Sequence, residues 1–224
     1  MLFRSHVQGA GGDIILALGP EPSLRWRAFS EQLMGVADHF GASMMLTLGA
    51  LLADVPHSRP VQIIGTATDQ DLIERYSLQR SRYEGPTGII GVIHDTCSTT
   101  ALPSVALWAA VPAYASQVPS PKASLSLMRR ACEIIGTPAP VASVMNLIDR
   151  YEEQVNSLVE DDEDLAAYVE RLETMTDQGM SIDDEVDDGQ LQFDFAEDTG
   201  DDAADASTLM DEVEQFLREQ GEGK

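Results

Sequence analysis

The chain has 224 residues, and 38 acidic side chains against 14 basic ones give it a formal net charge of −24. That length accommodates one α/β domain with a sizeable core plus an appendage. The charge repels polyanions over most of the surface, which excludes nucleic-acid binding by counterion release and disfavours anionic membranes.

Cys97 and Cys132 are the only cysteines, and each sits among apolar residues, as buried free thiols do in a reducing compartment. No run approaches the roughly 18 consecutive apolar residues of a membrane helix, and MLFRSHVQGAGGD lacks the apolar centre of a signal peptide. These features predict a cytoplasmic protein.

In chain order, Gly9, Gly11 and Gly12 predict a hairpin turn before a strand, DIILAL, expected to be buried. Because that strand begins so early, the body is expected to lack an upstream portion. Ser23 is a candidate cap for a helix presenting Trp26, Phe29, Leu33, Val36, Ala37 and Phe40 on one face, stopped at Gly41. SMMLTL then predicts a second strand, and strand, helix and strand at this spacing predict a βαβ unit. GALLADVPHSRP, with Asp54 and His57, is expected to be a loop. VQIIGTA is a third strand, and Asp69 caps a short helix. Arg75, Arg80, Arg82 and Tyr83 form a basic cluster, expected to be a solvated or acid-paired surface, with docking of an acidic segment as the alternative.

The stretch from Gly85 to Tyr114 organises the rest. Pro86 at a first helical position, with Ile89, Ile90, Ile93 and Cys97 three or four apart, predicts a helix. Ser104 to Val111 is apolar on both faces, as an inner strand covered by helices must be. Ser120 and Pro121 open a helix with Leu125, Met128, Cys132 and Ile135 on one face before Gly136. Alternation of strands and helices predicts a three-layer sandwich.

From Val144 the spacing becomes a heptad through Ile148, Tyr151, Val155 and Leu158, then Leu165, Val169, Leu172 and Thr176. Two helices folded into a hairpin around EDDED are favoured over one long helix, because like charges there oppose burial. Core packing is the expected use of the stripe, and a homo-oligomer its alternative. Residues 177–206 are acidic and poor in apolar groups, which predicts disorder. Two islands interrupt the tail: Leu191, Phe193 and Phe195 alternate as in a strand added to a sheet edge, and Val213, Phe216 and Leu217 share a face of a short amphipathic helix. These six residues are the candidate interaction residues.

Catalytic motifs are missing. His6, His39, His57 and His94 stand in no metal-ligand spacing, no nucleophile elbow occurs, and the only lysines, Lys122 and Lys224, end no phosphate-binding loop. No cofactor and no metal are expected. His94 with Asp95 is the best acid/base pair, although a capping role is the simpler reading. Trp108 is a further pocket candidate that is more simply a core residue.

At LGPEPSLRWRAF, GPTGIIGVIHDTC and PSVALWAAVPAYASQVPSPKASLSLM the chain resembles the proteasome assembly chaperone family, in its actinobacterial branch. The resemblance spans about Asp13 to Gly136, and more loosely the helical hairpin. It implies a three-layer α/β/α sandwich similar to purine nucleoside phosphorylase, followed here by the helical hairpin and disordered acidic tail. It also implies an oligomeric state and, from eukaryotic and archaeal relatives, protein partners such as proteasome subunits. The expected organisation is a body over 1–140, truncated at its N-terminus relative to the family, a hairpin over 141–176 and a tail over 177–224. The terminal Glu222, Gly223 and Lys224 depart from the hydrophobic residue, tyrosine and final residue that end some proteasome-binding relatives. The leading expectation is a non-enzymatic, assembly-chaperone-like interaction protein. The alternative is a small-molecule binder or enzyme with a phosphorylase-like pocket.

Overall fold

The computed structural model describes residues 2–6, 13–80, 88–139, 141 and 144–179, the first group as backbone alone. The elements run β1 (Leu2–His6), β2 (Asp13–Ala17), α1 (Trp26–His39), β3 (Met45–Ala53), β4 (Ile63–Ala67), α2 (Gln70–Tyr76) and β5 (Gln79–Arg80). They continue with α3 (Ile89–Thr99), β6 (Ser104–Pro112), α4 (Pro121–Ile135), α5 (Met145–Glu160) and α6 (Glu163–Asp177).

The central sheet has the order β3-β6-β4-β5. β6 runs parallel to β3 over nine residue pairs, from Met45 opposite Ser104 to Ala53 opposite Pro112, and antiparallel to β4. Flanked by strands on both edges and by helices on both faces, β6 is the inner strand expected from its unbroken apolar run. Val105 and Leu107 point to one face and pack with Leu72 and Ile73 of α2 and with Leu127, Ala131 and Ile134 of α4. On the opposite face Met45 of β3 packs with Met34 of α1 and with Ile89, Ile93 and Cys97 of α3. Helix, sheet and helix thus make three layers around two cores.

Several local expectations hold. Asp69 accepts hydrogen bonds from the backbone N–H groups of Asp71 and Leu72, and Ser120 from that of Ala123. Gly136 ends α4 at φ +79°, a left-handed position that suits a residue without Cβ. The acidic run splits the heptad segment into α5 and α6, with Asp162 capping α6. Tyr151, Val155, Val169 and Leu172 are buried within the chain, so the stripe serves packing, whereas Leu158 is 45 % exposed.

Other expectations are corrected. β2 does not enter the central sheet; it pairs antiparallel with β1 in a separate two-stranded sheet, and Leu16 is exposed. The βαβ unit expected around α1 is therefore absent among the described residues: local antiparallel pairing takes the place of a crossover. β3 runs five residues further than SMMLTL, because its ladder with β6 continues through Gly49–Ala53, expected to be loop. α1 is preceded by Arg25 in a left-handed conformation rather than capped by Ser23, and it buries Ser30, Met34 and Ala37 while Phe29 and Phe40 stay largely exposed. Its buried face is rotated toward α3, where Met34 meets the Cys97 thiol. α4 likewise buries Ala131 and Ile134 most deeply, with the expected Ile135 partly buried against the same core. α3 starts after Gly88; Pro86, Arg82 and Tyr83 lie outside the described residues. Of the expected tail, Asp177 belongs to α6, and residues 180–224, with Leu191, Phe193, Phe195, Val213, Phe216 and Leu217, lie outside the described residues too.

Candidate functional site

In α/β sheets the loops beyond the C-terminal strand ends are where ligands collect. Here the parallel strands β3 and β6 deliver two loops to one place: residues 54–60 after β3, and Ala113–Ala115, a single 3₁₀ turn, after β6. The N-terminus of α4 joins them, and α5 and α6 lie against the cluster.

His57, 5 % exposed, stands at its centre. Its backbone N–H donates to the Tyr114 hydroxyl at 2.8 Å, and its ring Nδ1 meets the same hydroxyl at 2.8 Å. Its Nε2 lies 2.8 Å from Oδ1 of Asn156 on α5. Lys122, in the first turn of α4, donates to the His57 carbonyl at 2.8 Å and pairs with Glu152 of α5 at 2.6 Å. The loop also reaches α6: Ser58 donates to Glu173, and Arg59 donates from Nε and Nη2 to the two carboxylate oxygens of Asp177, each at 2.8 Å. This two-pronged pair holds the Asp177 carboxyl below its usual range and raises the guanidinium further. Burial pushes the Tyr114 phenol up to about 12, against the lowering by the His57 N–H. Burial, followed by the neighbouring Asp54 carboxylate, takes Tyr168 to about 12 as well. Both phenols are therefore neutral donors at neutral pH.

These groups satisfy one another. The hollow left among Val55, His57, Pro112, Lys122 and Tyr151 measures about 10 Å3, about the volume one water requires. A larger hollow of about 250 Å3 lies on the α4 side, between that helix and β3, with Ala50, Val111, Leu127 and Tyr151 in its walls. Its lining is mostly apolar, so it offers a packing surface more than a chemical centre. It opens beside the exposed side chains of Leu48 and Leu52 on β3.

The pocket candidates lie elsewhere and apart. His94 is on α3 under the sheet, its Nε2 2.8 Å from the Thr47 hydroxyl and its Nδ1 2.9 Å from the Ser104 hydroxyl. Burial lowers its pKa below the usual value, and both ring nitrogens are engaged in joining α3 to β3 and β6. Asp95 points outward and is exposed. Trp108 lies over Gly49, so close that a Cβ there would fall 2.6 Å from the ring. It packs with Leu51, Ile64 and Ala110 as a core residue. Cys97 is fully buried, and burial raises its thiol pKa, which suits packing and not nucleophilic attack. No group of three or more metal-ligating side chains occurs among the described residues. Nor is any described helix long and apolar enough to cross a membrane.

Sequence spacing did not bring out His57, Tyr114, Lys122 and Asn156 as partners. They come from four elements up to 99 positions apart, and only the proline-bounded loop and the lone early lysine of α4 hinted at them.

The sequence pattern of the PAC2 family matches residues 2–159, a stretch that ends inside α5. A PAC2 family protein from Streptomyces avermitilis is 38 % identical, with a TM-score of 0.67, over 75 % of this chain and 70 % of that one. The proteasome-assembly chaperone homologue of Mycobacterium tuberculosis is also 38 % identical with a TM-score of 0.67, over 75 % of this chain and 71 % of its own. An archaeal proteasome activator from Pyrococcus furiosus shares the fold alone, at 15 % identity and a TM-score of 0.57, over 70 % of each chain. No curated protein matches the chain. With the family pattern covering more than half of its residues and two 38 % identical relatives sharing its architecture, the chain belongs to the PAC2 family.

Proposed function

We propose that the protein is a non-enzymatic, assembly-chaperone-like interaction protein whose partners are proteasome-related subunits. The observation that carries this is its 38 % identity, over three quarters of the chain, to the mycobacterial proteasome-assembly chaperone homologue. The polar groups at the C-terminal strand ends support it, since they bind each other around a hollow of about 10 Å3, while apolar surface on β3 stays exposed. The test is capture from host extract on the immobilised full chain, read by mass spectrometry. Enrichment of proteasome subunits over a charge-matched control protein is expected, and their absence from the eluate overturns the reading.

A second reading rests on the placement of His57, Lys122 and Tyr114 where α/β sheets bind ligands. It makes the protein a small-molecule binder and predicts a ligand-dependent rise in melting temperature in a nucleoside and nucleotide screen. A flat screen eliminates it.

A further inference from the structure

β3 has β6 on one side, and among the described residues no strand pairs with the other. Such an edge is a template for strand addition, which proteins blunt with charge, proline or a bulge. β3 carries none of these: its sequence is MLTLGALLA, and its register with β6 is unbroken over nine pairs. Leu48 and Leu52, 51 % and 41 % exposed, flank Ala50 on the face that opens into the hollow of about 250 Å3 beside α4.

A suitable strand exists in the same chain. We propose that the segment around Leu191 and Phe193 adds to the free edge of β3, placing these two side chains against Leu48 and Leu52 and over the hollow. The acidic tail thereby covers its own sheet edge.

Position supports this occupant. The last turn of α6 is fastened beside the end of β3, because Asp177 holds Arg59, which lies six residues after Ala53. The twelve residue-to-residue steps from Gly179 to Leu191 reach up to about 40 Å at roughly 3.3–3.6 Å each. The nine residues of β3 span only about 30 Å at roughly 3.3 Å each, so the whole edge is within reach. Pattern supports it as well. Leu191 and Phe193 alternate with Gln190 and Gln192, and Gly189 to Phe193 is uncharged between Asp188 and Asp194, as is the whole of β3. A second copy is the weaker candidate, because two chains of formal charge −24 repel, whereas a tethered segment acts at roughly millimolar effective concentration.

The test is hydrogen exchange of the full chain and of its variants Leu191→Asp with Phe193→Asp, and Leu48→Asp, read at peptides from β3 and β6. Leu48 is half exposed and contributes little to the core, so the fold is expected to be retained. Circular dichroism of each variant checks this. Amides of β3 are expected to exchange at least tenfold faster in both variants than in the unaltered chain, with β6 unchanged. Equal β3 exchange in the unaltered chain and the tail variant overturns the proposal. So does β3 protection that falls on dilution together with a dimeric native mass, which assigns the edge to a second copy. Protection that arises only when another protein is added assigns it to a partner and overturns the proposal equally.

Discussion

Leu48 and Leu107 face each other across the β3–β6 ladder, on the same side of the sheet, yet one is 51 % exposed and the other fully buried. The difference is one of position within the layers. α4 lies over β6 and leaves the outer part of β3 bare, so a single row of the sheet passes from core to open surface. Burial energy is concentrated in β6, and capacity to bind another strand is concentrated in β3. Truncating the two leucines is the strongest way to break or confirm this contrast. Leu107→Ala is expected to cost about 2–5 kcal/mol of stability in denaturant unfolding, as cavity-forming core changes do. Leu48→Ala should cost distinctly less, because the body leaves that side chain half exposed and only the added tail strand covers it. Similar losses at both positions would mean that the body itself covers the β3 face.

The next row sharpens the contrast on the opposite face. Gly49 lies opposite Trp108, and an added Cβ would meet the ring at 2.6 Å. A ring packed among Leu51, Ile64 and Ala110 has little freedom to retreat. Gly49→Ala is expected to cost about 1–3 kcal/mol by overpacking, with a shift in tryptophan fluorescence. Gly65 makes the control, since its added Cβ would meet chiefly the flexible end of Leu78. Gly65→Ala should cost less.

How much was legible in the sequence follows from the same geometry. β6 could be read because a strand covered on both faces is apolar throughout, and α4 because Ser120, Pro121 and Gly136 mark its ends by local chemistry. The break between α5 and α6 was visible in its charges. The fate of β2 was not, because an apolar run of five residues suits either a buried strand or an exposed hairpin arm, and only its partner decides. The strand-end cluster was hidden for a different reason. His57, Tyr114, Lys122 and Asn156 are each ordinary in their own segment, and nothing local shows that β3 and β6 will bring their loops together. His94 is deceptive in sequence, since a histidine beside an aspartate suggests chemistry while its hydroxyl partners lie 10 and 47 positions away.

That cluster offers a smaller but more specific test. Tyr114→Phe keeps the ring and its edge contacts with His57 and Tyr168 but removes the hydroxyl that serves both the His57 backbone N–H and Nδ1. Leaving buried polar groups without their partner costs about 1–3 kcal/mol. The loop should also loosen its hold on α5 and α6, seen as faster exchange in residues 54–60 and in Asn156. Loss of stability without that loosening would show that the hydroxyl serves the ring position alone.

His94, half-buried beneath the sheet, supports a last test, read by pH. Burial lowers the pKa of His94 below the ordinary value of 6.5, so in this pH range the unfolded chain binds a proton that the folded one refuses. Its contribution to stability is therefore complete above about pH 6.5 and declines as the pH falls below it, by at most about 1.4 kcal/mol per pH unit, until the folded-state pKa is reached. Asp177, held low by Arg59, acts only near and below pH 3.8, outside the window of pH 5 to 6.5 in which His94 is read. Denaturant unfolding across that window should show the decline, and His94→Gln, which retains a side-chain donor and acceptor for Thr47 and Ser104, should flatten it. An undiminished slope in that variant would show that the decline does not come from His94.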